Sequence, residues 1–472
     1  MGRPPGQAGA CTAPPRASTL AVMEPDVLAV AAAAALAYAR TVDDRRVFPD
    51  DAAVAGLEAF DEPLPEVGTD PVATVRLLDE VGGPATVAST GPRYFGFVTG
   101  GTHPAALGAS WLADAWDQNA ALPVMSPVAS RLYDVASRWL VDVLGLPDGT
   151  GAAFVTGATV ANASCLAAAR DALLAAQGWD VPADGLFGAP PLDVVVGERV
   201  HSTVSKSLSL VGLGRSRVHV VPADGQGRMR ADLLPDLPGP ALVCAQAGEV
   251  NTGAFDPFDP IADWVRERDG WLHVDGAFGL WAAADPSRSA LVQGLDRADS
   301  WATDGHKWLN VTYDCGIAFV RRPEDLRRTF AASAAYLPPS DVFEAMHHTP
   351  QSSQRARQVE VWAVLRSLGR EGVARLVADD CDAAVAIADR LRDAGFEVLN
   401  EVVLNQVLVR YADGPTTERL MAALQADGRV WCGPTQWGGQ TAMRISVSSW
   451  KTDRATAVRA ADAIVEVARA LG

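Results

Sequence analysis

Two short runs of the chain place a lysine amine and a carboxylate where they could do covalent chemistry. His273-Val-Asp-Gly-Ala-Phe278 contributes Asp275, and Trp301-Ala-Thr-Asp-Gly-His-Lys-Trp308 contributes Lys307. A lysine can form a Schiff base with an aldehyde, and a carboxylate at a pyridine nitrogen keeps that ring protonated, so that it accepts electrons. Together these are what a pyridoxal phosphate enzyme needs. Ala277 is small enough for a flat ring to pack against it, and Asp304 and His306 can hydrogen-bond near a phosphate or orient the lysine. Upstream, an apolar run enters Thr156-Gly157-Ala158-Thr159 ahead of a helix expected over 160–176. Small residues there let backbone amides approach a phosphate, and a helix start favours an anion. The same residues also make an ordinary tight turn with Thr159 as an N-cap. His201 opens HSTVSKSLSLVG, where its ring can lie on a cofactor face or serve only as a cap or core residue. Asp275 alone reads equally as a helix cap or an ion-pair partner. Four such elements in one order favour the cofactor reading over four coincidences.

These side chains need a scaffold. From Ala152 to Val320 the runs AAFV, LDVVVG, RVHVV, ALVCAQ, GWLHVD, DSWATD and GIAFVR alternate with helix-like segments. Short β-branched runs separated by helices predict a mainly parallel sheet covered on both faces, in an α/β large domain. Open sheets of this kind bind ligands at the carboxyl ends of their strands, and Thr156, His201, Asp275 and Lys307 all fall at or just after such ends. Beyond residue 353 the pattern becomes a linker helix and a smaller α+β domain with strands FEVL, NQVLVRY and AMRISV. The expected division is a disordered extension over 1–22, with Met23 an alternative start, and a helical segment over 23–120 that wraps another subunit. A large domain over 121–330, a mobile loop over 331–352 and a small domain within 353–472 complete it.

The 472 residues are 49% hydrophobic and carry a formal net charge of −17, so a nucleic-acid or anionic membrane surface is an unfavourable partner. The six scattered cysteines have no CxxC or metal-ligand spacing, which predicts neither a disulfide framework nor a metal site and suits a cytoplasmic protein. The Ala-rich stretch 27–39 is too short to span a bilayer.

The motifs PRYFGF, SPVASRLY, TGATVANASCLAAAR, HSTVSK, NTGAFDP, HVDGAFG, DGHKWLN with YDCG, and RARQVEVWAVLRSLGREG resemble, in order and spacing, those of the group II pyridoxal-dependent decarboxylases. That family acts on aromatic amino acids, glutamate, histidine and diaminobutyrate. The resemblance implies a type I, aspartate aminotransferase-like fold and a homodimer with active sites at the subunit boundary. It implies Lys307 as the Schiff-base lysine, Asp275 at the pyridine nitrogen, His201 on the ring, and phosphate contacts from Gly157, Ala158, Thr159, Asp304 and His306. Arg444 resembles an arginine that grips a substrate carboxylate, its alternative role being an interdomain ion pair. Phe97 and Thr99 match a substrate-side segment, and Gln118 and Asn119 nearby can supply polar contacts.

Departures from the family pattern stand beside the matches. Glu249 and Val250 replace a usual pair of threonines, leaving Asn251 or Thr252 to supply a polar group to the cofactor, and Gln354 replaces the first of two arginines. No tyrosine aligns with the loop tyrosine that donates a proton in aromatic decarboxylases; Tyr336, His347 and His348 are the nearby candidates, the bland alternative being a solvated loop. The expected reaction is decarboxylation of an L-amino acid to its amine. Alternatives are aldehyde formation, transamination or carbon-carbon lysis on the same fold, or a non-catalytic cofactor-binding homologue.

Overall fold

The computed structural model describes residue 2 and residues 24–332 and 342–471. The expected extension (Gly2 aside), Met23 and Tyr336 lie outside these described residues. The chain divides into two compact units, one of residues 1–44 and 49–86, the other of residues 45–48 and 87–472. In the first, helix Glu24–Thr41 is followed by two short helices, Asp51–Gly56 and Pro71–Leu77. Asp50 and Asp70 cap these by accepting hydrogen bonds from the amides of Ala53 and Ala73, satisfying N–H groups the helix leaves free.

The second unit is built on a seven-stranded sheet: β1 (Gly151–Val155), β2 (Asp193–Gly197), β3 (His219–Val221), β4 (Ala241–Gln246), β5 (Trp271–Asp275), β6 (Ser300–Asp304) and β7 (Gly316–Val320). Each falls on one of the seven apolar runs. The order is β1-β7-β6-β5-β4-β2-β3, with β7 alone antiparallel to its neighbours. Alternation along each strand feeds two cores: Val194 and Val196 join Leu166 and Leu208 on one face, whereas Val195 joins Phe258, Leu365 and Val377 on the other. Helices Ala158–Ala176, Ser202–Leu210 and Pro323–Phe330 cover the first face; Pro127–Val143, Phe258–Arg266 and Gln358–Asp393 cover the second. The last of these is broken into two limbs at Gly369, where φ is 62°.

A smaller sheet follows, of β8 (Glu397–Val398), β9 (Gln406–Arg410), β10 (Gly433–Trp437) and β11 (Gln440–Ser446), ordered β10-β11-β9-β8. β10 is absent from the strands the sequence predicts, because Gly433 and Pro434 argue against one. It survives as an edge strand, closed onto β11 by Gly438 and Gly439, both at positive φ.

Between the sheet and helix Ala158–Ala176, buried His273 meets Ser300 Oγ through Nδ1 and Asn162 Oδ1 through Nε2, each at 2.9 Å. Burial pushes its pKa down to about 3. The folded state therefore keeps this imidazole neutral where an unfolded chain, with a histidine pKa near 6.5, takes up a proton. Its contribution is complete above about pH 6.5 and is lost as pH falls, amounting to about 2 kcal/mol between pH 7 and pH 5. Urea unfolding at the two pH values should show that loss, and a His273→Gln variant, weaker overall, should not show this share of the slope.

Candidate active site

The carboxyl-terminal edge of the large sheet gathers the reactive groups. Lys307 sits on the turn after β6, and its Nζ lies 2.9 Å from Asp304 Oδ2. The other oxygen of Asp304 accepts the amide of Ala158 at 2.5 Å, in the first turn of helix Ala158–Ala176, and stands 3.6 Å from His306 Nε2. Nδ1 of His306 accepts the amide of Cys315 at 3.0 Å, so the proton of the neutral ring is on Nε2. Burial lowers the pKa of His306 and favours that neutral form. Tyr313 stacks on the ring at 4.2 Å.

Asp275 ends β5 with 5% of its surface exposed and accepts the amide of Ala277 at 3.2 Å. Burial raises its pKa; His201 and Lys307 pull it back down. His201 is both a cap and a cavity residue. Its Nδ1 takes the amide of Thr203, capping helix Ser202–Leu210, and the ring also lines the cavity that Asp275 and Lys307 border. Burial lowers its pKa, with Asp275 opposing the shift and Lys307 and Arg444 adding to it.

This cavity, of about 240 Å³, is walled by His201, Asp275, Ala277, Lys307 and Arg444 together with Phe97, Val98, Gln246, Gly248, Val250 and Phe278. Phe97 and Val98 adopt φ of 54° and 55°, strained for side chains of their kind. Arg444 Nη1 donates to the carbonyl of Val250 at 3.3 Å, leaving most of a half-buried guanidinium for a ligand. A carboxylate, a lysine, a neutral imidazole and a small alanine around one cavity fit the ring of pyridoxal phosphate. For the phosphate, the missing side chain of Gly157 keeps the approach clear where a Cβ would crowd His306 Cε1 at 3.3 Å and Asp304 Oδ1 at 3.5 Å. Thr156 and the N-cap Gly157 lead into this first turn and Thr159 stands on it, all outside the cavity wall.

Other candidates fall elsewhere. Asn251 and Thr252 are turned onto Glu249, whose buried carboxylate accepts both their amides, Asn251 Nδ2 and Thr252 Oγ1. They hold a turn and are not in the cavity wall. Gln118 donates to the carbonyl of Trp116, Asn119 Oδ1 accepts the amides of Ala121 and Gln354, and the carbonyl of Thr99 accepts Ser448 Oγ. His347 and His348 are buried, at 7% and 6% exposure, rather than solvated: His347 pairs with Glu344 at 3.0 Å, and His348 stacks on Phe343 at 4.5 Å. Gln246 and Phe278 are wall residues that sequence reasoning missed. Gln246 had a signal, since it ends β4 at the same edge as Asp275.

The segment around Gly100 presses on the lysine turn. A Cβ at Gly100 would lie 1.7 Å from the carbonyl oxygen of Lys307. Gly100→Ala should therefore displace that turn, destabilising the protein by about 1–3 kcal/mol and weakening cofactor retention. Cofactor content after gel filtration and thermal melting would check both; wild-type values would show that the turn moves freely.

The sequence profile of the family described as "Pyridoxal-dependent decarboxylase conserved domain" matches residues 84–412. An acidic amino acid decarboxylase of Bos taurus is 31% identical over 303 residues, covering 61% of this chain and 57% of that protein. An L-2,4-diaminobutyrate decarboxylase of Rhizobium meliloti is 29% identical over 446 residues, 87% of this chain and 84% of the relative. The chain spans little more than half the length of the first curated relatives it matches, 57% and 51%. The crystal structure of an Oryza sativa protein, titled TDC with pyridoxal phosphate and tryptamine, superposes with a TM-score of 0.86 at 22% identity, covering 96% of this chain and 99% of that one. The fold is thus the α/β type I fold that the resemblance implied.

Proposed function

The chain belongs to the pyridoxal-dependent decarboxylase family, and from that premise we propose that it removes the α-carboxyl group of an L-amino acid as carbon dioxide and releases the amine. The observation that carries this is one cavity bordered by Lys307, Asp275, His201 and Arg444. When bound, pyridoxal phosphate draws electrons from the bonds of the substrate's α-carbon. Lys307 supplies the amine that links the cofactor, and Asp275 holds a proton on the ring nitrogen. His201 and Ala277 pack against the ring. Gly157 and Thr159, with the Nε2–H of His306, would meet the phosphate end, while Asp304 holds the amide of Ala158 and the amine of Lys307. Arg444, held at Val250, orients a substrate carboxylate through its free N–H groups. Buried Val98 and Phe278 keep water from their side of the cavity, which strengthens charge interactions there.

Exposed Phe97, Leu112, Trp116, Val124 and Met125 support a homodimer, since apolar groups of this size gain from being covered by a second subunit. The five described cysteines are unpaired, which supports a cytoplasmic setting, and no helix among the described residues is long and apolar enough to cross a membrane.

The test is mass spectrometry of the products formed when cofactor-loaded protein meets pooled L-amino acids. An amine with released carbon dioxide supports the reading, whereas an aldehyde or keto acid assigns the same cofactor to a different reaction.

A further inference from the structure

Lys307 lies on a turn, so its position depends on what anchors its neighbours. Two anchors are evident. Asn310, at a φ of 58°, donates through Nδ2 to the carbonyls of Trp308 and Ser448 and accepts the amide of Trp450, while Gly100 packs on the carbonyl of Lys307. The third anchor comes from a distant helix. The indole of Trp308, the residue next to the lysine, is 1% exposed and donates its N–H to Asp380 Oδ2 at 2.7 Å. Asp380 is itself 1% exposed in helix Gln358–Asp393, and this indole is its carboxylate's one hydrogen-bond partner among the described residues.

A buried carboxylate with a single neutral donor is expensive to keep. No cation within ion-pairing distance offsets its desolvation among the described residues, and an apolar residue of similar volume would pack there at less cost. Burial pushes its pKa well above the ordinary carboxylate range, with nearby Asp379 adding to the shift. What the arrangement provides is direction: an acceptor on a rigid helix fixes the plane of one indole, and that indole is bonded through the backbone to the reactive lysine.

We propose that Asp380 is a positioning residue for Lys307, acting through the indole of Trp308. The inference rests on Lys307 being the cofactor-linking lysine. Asp380 touches no substrate, and its role is to hold the amine where the aldehyde arrives; misplacing a reacting group by about 1 Å costs on the order of 100-fold in rate.

The test uses full-length protein carrying Asp380→Leu, Asp380→Asn, Trp308→Phe, or Asp380→Leu with Trp308→Phe. Two quantities are read: the rate at which Lys307 captures pyridoxal phosphate, trapped with borohydride and counted by mass on the Lys307 peptide, and kcat and KM of the loaded enzyme. Asp380→Leu and Trp308→Phe should each slow capture and lower kcat about 10-fold or more with KM little changed. Asp380→Asn, which keeps an acceptor oxygen, should stay within about 2-fold of wild type, and the double variant should fall no further than either single one. Wild-type capture in Asp380→Leu and Trp308→Phe, losses that multiply in the double variant, or an equal loss in Asp380→Asn would overturn the proposal. Thermal melting separates positioning from folding, since a loss that follows the melting temperature across all four variants also overturns it. Capture is read whatever product forms, so a protein that binds the cofactor on Lys307 but releases no carbon dioxide refutes the decarboxylase reading alone.

Discussion

Lys307→Ala is expected to abolish turnover, lowering kcat by about 10⁴-fold or more, because the amine proposed to link the cofactor is removed outright. The same substitution has an electrostatic consequence. Nζ of Lys307 is 2.9 Å from Asp304, a carboxylate buried at 2% exposure whose other oxygen already takes the amide of Ala158. Removing the cation leaves that carboxylate without its nearest counter-charge, so part of the damage could be misattributed to chemistry. Lys307→Arg separates the two. A guanidinium keeps a positive charge beside Asp304 but does not form the Schiff base, so this variant should recover melting temperature and remain inactive. Borohydride reduction in the presence of pyridoxal phosphate should add the cofactor's mass to wild-type protein and to neither variant. Full activity in Lys307→Ala would remove the assignment of this lysine and the proposed function with it.

Legibility in the sequence followed locality. Seven strands were readable because each is a short apolar run, six of them buried on both faces and β3 exposed at His219 and Val220, and the candidate residues were placed at one edge because each lies at or near the end of its own strand. What stayed hidden depends on approaches between distant segments. That Gly100 abuts the carbonyl of Lys307, or that Trp308 donates to Asp380, joins segments with no shared periodicity. Asn251 or Thr252 was expected to supply a polar group to the cofactor, and in the structure both bond to Glu249 outside the cavity wall. Glu249, visible only as a departure from the family pattern, turns both of them onto itself, which leaves Val250 and Gly248 to form the wall. A stretch rich in Pro and His leaves a solvated loop open as an alternative for His347 and His348, whereas both are buried, His347 against Glu344 and His348 against Phe343.

Asp275→Asn should lower kcat by about 10²- to 10³-fold, the scale of losing one preorganised electrostatic contact to a charge that matters in the transition state. Asparagine is close in shape and keeps an oxygen for the amide of Ala277, so geometry is preserved while the negative charge is lost. A neutral amide does not hold a proton on a pyridine nitrogen, and without that proton the ring is a weaker electron acceptor. Stability should move the other way. Burial raises the pKa of Asp275, so the folded apo-protein binds this proton more tightly than the unfolded chain does. Ionising the group therefore costs folding free energy as pH rises through its elevated pKa. Asparagine has no such cost, and the apo variant should melt at or above the wild-type temperature at pH 7 and lose less stability as pH rises from the ordinary carboxylate range toward neutrality. Activity falling while stability holds or rises is what a carboxylate kept for function produces. A variant that loses both together would make Asp275 a structural residue and leave the ring nitrogen without its partner.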